Sequence, residues 1–200
     1  MQITDKRPRM IANGWIQAAG IVLIVGFFIM GVLTYYTYTD EPPIPQVVKD
    51  ANGAVLFTRA DILAGQAIFL GNGLMEYGSI FGHGAYLGPD FTAEYLHRAA
   101  LSGVDFYDKA NPDTAKTRTI QDFKTNRYDK ATGTLIYTDA QARAFKECQA
   151  YYASFFGTPT TRFGLRPSAI RDPEQIRKLT AFFSWTAWAA STARPGHTYS

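Results

Sequence analysis

Gly14-Trp-Ile-Gln-Ala-Ala-Gly-Ile-Val-Leu-Ile-Val-Gly-Phe-Phe-Ile-Met-Gly-Val-Leu-Thr-Tyr-Tyr-Thr-Tyr38 carries no charged side chain, and none occurs anywhere between Arg9 and Asp40. A bilayer-spanning helix needs about 20 apolar residues, and this run supplies them. Trp15 stands at one end and Tyr35, Tyr36 and Tyr38 at the other. A helix rises about 1.5 Å per residue, so Trp15 and Tyr35 stand roughly 30 Å apart, the thickness of the hydrocarbon layer. Aromatic rings at both edges are what interfacial belts require. A cleaved leader is the competing reading. It calls for a shorter apolar core and a small-residue exit, whereas this run is long and leaves through Thr-Tyr-Tyr-Thr-Tyr-Thr. No polar face interrupts the run, which disfavours a buried soluble helix.

The flanks orient the span. Lys6, Arg7 and Arg9 precede it, while Asp40 and Glu41 follow it. The positive-inside bias places residues 1–13 in the cytoplasm, the membrane helix over 14–38, and residues 39–200 outside. Pro42, Pro43 and Pro45 make a stiff exit.

The outer part has turn and cap signals at regular intervals. Val47-Val48 and Val55-Leu56-Phe57 flank Asn52-Gly53, predicting a hairpin. Thr58 and Asp61 open a helix over Ile62–Phe69, which Gly71 and Gly73 close. Four glycines within a dozen residues then break any regular helix before a second one, from about Thr92 to Leu101. Residues 104–127 read as polar and irregular. Arg127-Tyr128 and Leu135-Ile136-Tyr137 around Gly133 predict another hairpin. Thr138 and Gln141 box the start of a helix that runs through Phe156, where Gly157 stops it. Asp172, Pro173 and Gln175 start the last one, ended by Pro195-Gly196. That last helix is apolar around more than half its circumference, so the domain should fold around it. Trp185→Ala, with the ring buried, is then expected to cost about 3–5 kcal/mol. The fold class is therefore mainly α: one membrane helix, then a domain of about four helices with small β-hairpins.

Composition narrows the function. A net charge of +3 with scattered basic residues offers no stripe for nucleic acid. One cysteine, Cys148, excludes an internal disulfide and any site needing two thiolates; inside a helix it reads as a small buried apolar residue. His83, His97 and His197 lack partners at metal-ligand spacing. His83 between two glycines reads first as a hydrogen-bonding loop residue, and His97 as surface. Glu76 stands without a second carboxylate. The residues by themselves describe a membrane-tethered module without catalytic machinery.

Tyr77-Gly-Ser-Ile-Phe-Gly-His-Gly-Ala-Tyr-Leu-Gly-Pro-Asp90, Leu165-Arg-Pro-Ser-Ala-Ile170 and Leu179-Thr-Ala-Phe-Phe-Ser-Trp-Thr-Ala-Trp188 resemble the N-terminal region of quinol-dependent, single-chain bacterial nitric oxide reductases of the heme-copper oxidase superfamily. The same segments resemble the small cytochrome c component of the two-chain type, in which the Gly-x-Gly-Ala-Tyr turn follows a C-x-x-C-H heme attachment site. That site falls on Leu74-Met-Glu-Tyr-Gly78 here: Leu74 and Tyr77 replace the cysteines, Gly78 the axial histidine and Arg166 the axial methionine. The resemblance thus implies a cytochrome c-like extracytoplasmic domain without heme, its vacated space filled by aromatics such as Tyr77, Phe81 and Phe163.

It further implies a parent enzyme of the bacterial inner membrane that reduces two nitric oxide molecules to nitrous oxide with electrons from quinol. Heme b, a high-spin heme and a non-heme iron would sit in a transmembrane bundle beyond Ser200, the domain's expected partner alongside lipid and quinol; a homodimer stays open. No catalytic or cofactor-binding residue is expected in the segment itself. A calcium ion in the relatives takes oxygens from the glycine turn, which here become the Gly84 carbonyl and the Tyr86 hydroxyl. The plainer alternative is a tight turn beside a packed ring. A free-standing anchored binding or assembly module is the other reading of the whole.

Overall fold

The computed structural model describes residues 12–39, 41–107, 111–158 and 164–194. It divides into two compact units, residues 1–43 and 44–200.

The first unit is helix α1, Asn13–Thr39, one residue longer at each end than the sequence suggests. It is long and apolar enough to cross a bilayer, and none of its residues is buried within the protein. Near its end Thr37 and Thr39 fold their hydroxyls back onto the carbonyls of Leu33 and Tyr35. These two hydroxyls are thereby satisfied inside the helix, the usual arrangement for threonine in an apolar helix.

The second unit begins with β1 (Val47–Lys49) and β2 (Val55–Thr58), paired antiparallel as the Asn52-Gly53 turn predicts. Helix α2, Arg59–Gly71, starts at the predicted capping box: Thr58 Oγ1 accepts from the Asp61 amide while the Asp61 carboxylate takes the Thr58 N–H. A 3-10 turn, Leu74–Glu76, leads into the short hairpin β3 (Ser79–Ile80) and β4 (His83–Gly84). Helices α3 (Phe91–Tyr107) and α4 (Pro112–Lys124) follow, then the hairpin β5 (Tyr128–Asp129) and β6 (Thr134–Ile136). Helix α5, Asp139–Gly157, has the expected Thr138–Gln141 box, and α6, Pro173–Ser191, closes the described chain.

Three expectations are corrected. The stretch 104–127 is largely helical: α3 runs on to Tyr107 and α4 fills Pro112–Lys124, so five helices rather than four build the described part of the domain. Only Ala115, Thr119 and Asp122 of α4 are buried, and so narrow and polar a face leaves little hydrophobic period to read. The two larger hairpins also do not stand alone. Strands β1 and β6 pair in parallel, Val48 opposite Leu135, giving one sheet in the order β2-β1-β6-β5. Finally, Asp172 caps α6 through the Glu174 amide rather than through a box with Gln175. The helix ends at Ser191, and Pro195-Gly196 lies outside the described residues.

Helix α6 is the spine, touching α2, α3, α4 and α5. Its Phe183 is fully buried and stacks on Phe91 of α3 with ring centroids 4.7 Å apart; Phe91 also packs on Phe156 of α5 and Phe69 of α2. Four helices thus meet around one ring, and aromatic pairs in such offset and edge geometries add to the burial itself. Gly65 lets α2 lie against the α6 backbone: a Cβ there would sit 2.1 Å from the Lys178 carbonyl oxygen. Arg177 of α6 ties the same pair together at the surface by an ion pair with Asp61, 2.6 Å.

Candidate functional site

The segment expected at the heme attachment position, Leu74–Gly78, is packed inward. Leu74 and Tyr77 are both buried. Tyr77 rests against Phe91 and Phe155. At Gly78 a Cβ would come within 2.5 Å of the Pro89 carbonyl and 2.7 Å of the Phe91 ring, so this packing admits no larger side chain. Leu165 and Arg166, at the place of the lost axial methionine, share one hollow of about 320 Å³ with Leu74, Tyr77 and Leu87. The fold therefore brings Leu74 and Tyr77 to the same hollow as Leu165 and Arg166.

Of the three aromatics expected to fill the vacated space, Tyr77 does pack inside. Phe81 does not: it is 43 % exposed at the hairpin tip, edge-on to Trp185. Phe163 lies outside the described residues. The interior is occupied instead by Phe91, Tyr152, Phe155, Phe156 and Phe183, contributed by three different helices.

The glycine hairpin is tightly held at its base and open at its tip. Its two turn residues, Phe81 and Gly82, have φ of 52° and 75°, the positive-φ pattern of a tight two-residue hairpin turn. Positive φ is costly for phenylalanine, so the turn needs outside support. Asp90 and Thr92, at the start of α3, provide it. The Gly82 N–H and the Ser79 hydroxyl both donate to Asp90 Oδ2, each at 2.7 Å, and the Phe81 N–H donates to Thr92 Oγ1 at 3.2 Å. Asp90 Oδ1 meanwhile accepts the Ala93 N–H at 2.9 Å, capping the helix. The Ala85 N–H donates to the Met75 carbonyl and pins the far strand.

Gly84 and Tyr86 both belong to this hairpin region and both are exposed. Gly84 has φ of 138°, and a Cβ there would stand 2.4 Å from the Gly78 oxygen, so only glycine fits. Tyr86 is 84 % exposed, and its hydroxyl donates to the Gly82 carbonyl at 3.2 Å. It is not a packed ring. His83 is exposed with Nδ1 3.0 Å from the Phe81 carbonyl, which makes that nitrogen the protonated one. It is a hydrogen-bonding loop residue. His97 is exposed on α3, and Glu76 is exposed beside the hairpin.

Two polar centres escape a reading of the sequence. One is Asp90, visible there only as a residue before a helix. The other is Asp122, nearly buried on α4, which accepts from the Tyr107 hydroxyl, Thr138 Oγ1 at 2.9 Å and Arg127 at 3.0 Å. Burial, then the Asp122 carboxylate, pushes the Tyr107 hydroxyl up to about 12. Cys148 is buried, as expected, and burial pushes its thiol up to about 12. Among the described residues no group of three or more His, Cys, Asp or Glu stands together as a metal site.

What this geometry defines is a helical domain in which Leu74, Tyr77 and Gly78 are packed inward against Phe91 and Phe155. Residues 45–200 match the family described as the cytochrome c-like domain of the nitric oxide reductase component NorB, and the chain belongs to that family. It is thus the N-terminal region of a NorB-type nitric oxide reductase protein, with one helix fit for a membrane anchor ahead of the matched domain. The comparison with curated proteins gives no match.

Proposed function

We propose that this chain is the anchor and extracytoplasmic domain of a quinol-dependent nitric oxide reductase, catalysing 2 NO + quinol → N2O + H2O + quinone. The observation carrying this reading is the sequence and packing at Leu74–Gly78. With neither thioether cysteine nor axial histidine, the domain offers no electron relay from a soluble cytochrome. Electrons then enter within the membrane, where quinol resides. Residues 1–13 lie in the cytoplasm, 14–38 cross the inner membrane and 39–200 stand outside, as the flanking charges favour. The hemes and the non-heme iron belong to a bundle beyond Ser200, and no residue of this segment is assigned to them.

Calcium is the metal toward which the resemblance directs the oxygens of the glycine hairpin. Calcium takes six to eight oxygens, carbonyls among them. The Gly84 carbonyl and the Tyr86 hydroxyl are two neutral oxygens on one exposed hairpin, and the tyrosine oxygen keeps its lone pairs while donating to Gly82. They fit as a partial donor set; the negative ligands would come from the bundle. The isolated segment should then bind no calcium by itself.

The test is stoichiometric. Membranes holding the complete enzyme should oxidise one quinol for every two NO consumed. Quinol oxidation without NO consumption, or NO consumption indifferent to quinol, overturns the reading.

A further inference from the structure

We propose that Asp90 is a positioning residue: its carboxylate sets the glycine hairpin so that the Gly84 carbonyl and the Tyr86 hydroxyl are presented to the cation in a fixed arrangement. This rests on the calcium reading above and names a residue that makes no contact with the metal itself.

Asp90 joins the hairpin to α3 with both of its oxygens, beside the single bond from the Phe81 N–H to Thr92. One oxygen caps α3 at Ala93, while the other takes both the turn amide of Gly82 and the hydroxyl of Ser79. The hairpin is only two residues per strand, too short to be stable alone. Its turn also holds Phe81 at positive φ, a conformation that relaxes once its restraints go. The Tyr86 hydroxyl is hydrogen-bonded to the carbonyl of Gly82, the residue whose amide Asp90 holds. Movement of Gly82 is therefore passed to the tyrosine through the carbonyl on its other side. Residues that orient metal ligands in this way typically change metal affinity by about 10–100-fold when they are replaced.

Asn at position 90 separates the two duties. Asparagine is as good a helix cap as aspartate, so its single acceptor oxygen can stay on the Ala93 amide. Its NH2 group then faces the Gly82 N–H, donor against donor, so the turn loses that bond while α3 stays capped and the Phe81–Thr92 and Ala85–Met75 bonds remain. Ser79→Ala is the milder variant, removing one bond to the hairpin and leaving the carboxylate in place.

The experiment uses the complete reductase, purified with calcium and challenged with a chelator. Three variants are compared: Asp90→Asn, Ser79→Ala and Tyr86→Phe. The readouts are calcium content and amide exchange at Gly82 and along α3. The expected result is calcium held about 10–100-fold more weakly in Asp90→Asn, the range seen for residues that orient metal ligands. Gly82 exchange should be faster, α3 exchange unchanged, and Ser79→Ala should shift both readouts in the same direction by less. Should Asp90→Asn fail to fold, Ser79→Ala decides: weaker calcium with faster Gly82 exchange supports the proposal, and unchanged calcium overturns it. Calcium lost in Tyr86→Phe but fully kept in Asp90→Asn overturns the role of Asp90 and leaves the calcium reading standing. Calcium unchanged in Tyr86→Phe removes the calcium reading, and the role of Asp90 falls with it.

Discussion

At the scale of single residues, packing decides which aromatics matter. Phe183 is fully buried between Phe91, Tyr152 and Phe69. Phe183→Ala should cost about 3–5 kcal/mol, read from denaturant unfolding. Trp185 is only half-buried, against Phe182 and Phe81, so Trp185→Ala should cost clearly less than Phe183→Ala. The reverse order would show that α6 turns another face to the core. Cys148 yields a second test. Its thiol is buried and held protonated to about pH 12, so alkylation of the folded protein at about pH 8 should be slow and should accelerate sharply in denaturant. Rapid alkylation under native conditions would contradict its burial.

Asp61 links pH to stability. Burial raises its carboxyl, but the Arg177 guanidinium and the bonds from Thr58 outweigh this and leave it below the usual range. A carboxylate lowered in the folded state stabilises above its ordinary value, near about pH 4, and loses that contribution as pH falls through the lowered one. The stability gap between the protein and Asp61→Asn should therefore be widest near neutrality and narrow in acid. A gap that widens in acid would reverse the sign of the argument.

At the scale of elements, the close approach of α2 and α6 rests on Gly65. A methyl group there meets backbone, not a flexible side chain, so the helices must move apart. Gly65→Ala should cost about 1–3 kcal/mol or more, and a stabilised variant would contradict the approach. The elements also show what a sequence can disclose. Capping boxes at Thr58 and Thr138 are local, involving residues three apart, and both form as read. The Asn52-Gly53 turn is equally local. Helix α4 is hidden in the sequence because its inward face is Ala115, Thr119 and Asp122, with the affinity for the core supplied by Tyr107, Thr138 and Arg127 from other elements. The parallel pairing of β1 with β6 joins Val48 to Leu135, far apart in the chain, and nothing local to either strand announces it. The site divides in the same way. Gly84 is reached in the sequence through the likeness of its turn to the family's, while its close approach to the Gly78 oxygen and the grip of Asp90 on Gly82 depend on the hairpin's folding.

At the scale of the whole molecule, a helix long and apolar enough to cross a membrane precedes a cytochrome c-like domain with Leu74 and Tyr77 packed inward. Its family makes it part of a NorB-type nitric oxide reductase protein. The domain's proposed place outside the cytoplasm rests on the charges around the span, and a reporter fused after Ser200 should report an extracytoplasmic position; activity of a cytoplasm-only reporter would invert the topology. In the proposed function, a soluble cytochrome finds no pair of cysteines here to carry a covalent heme, whereas a quinol within the membrane needs none. The most direct measurement is the electron donor of the complete reductase, with NO consumption followed under reduced quinol and, separately, under reduced cytochrome c. Turnover with quinol and none with cytochrome c is the predicted result. Turnover with cytochrome c in the absence of quinol would contradict the account.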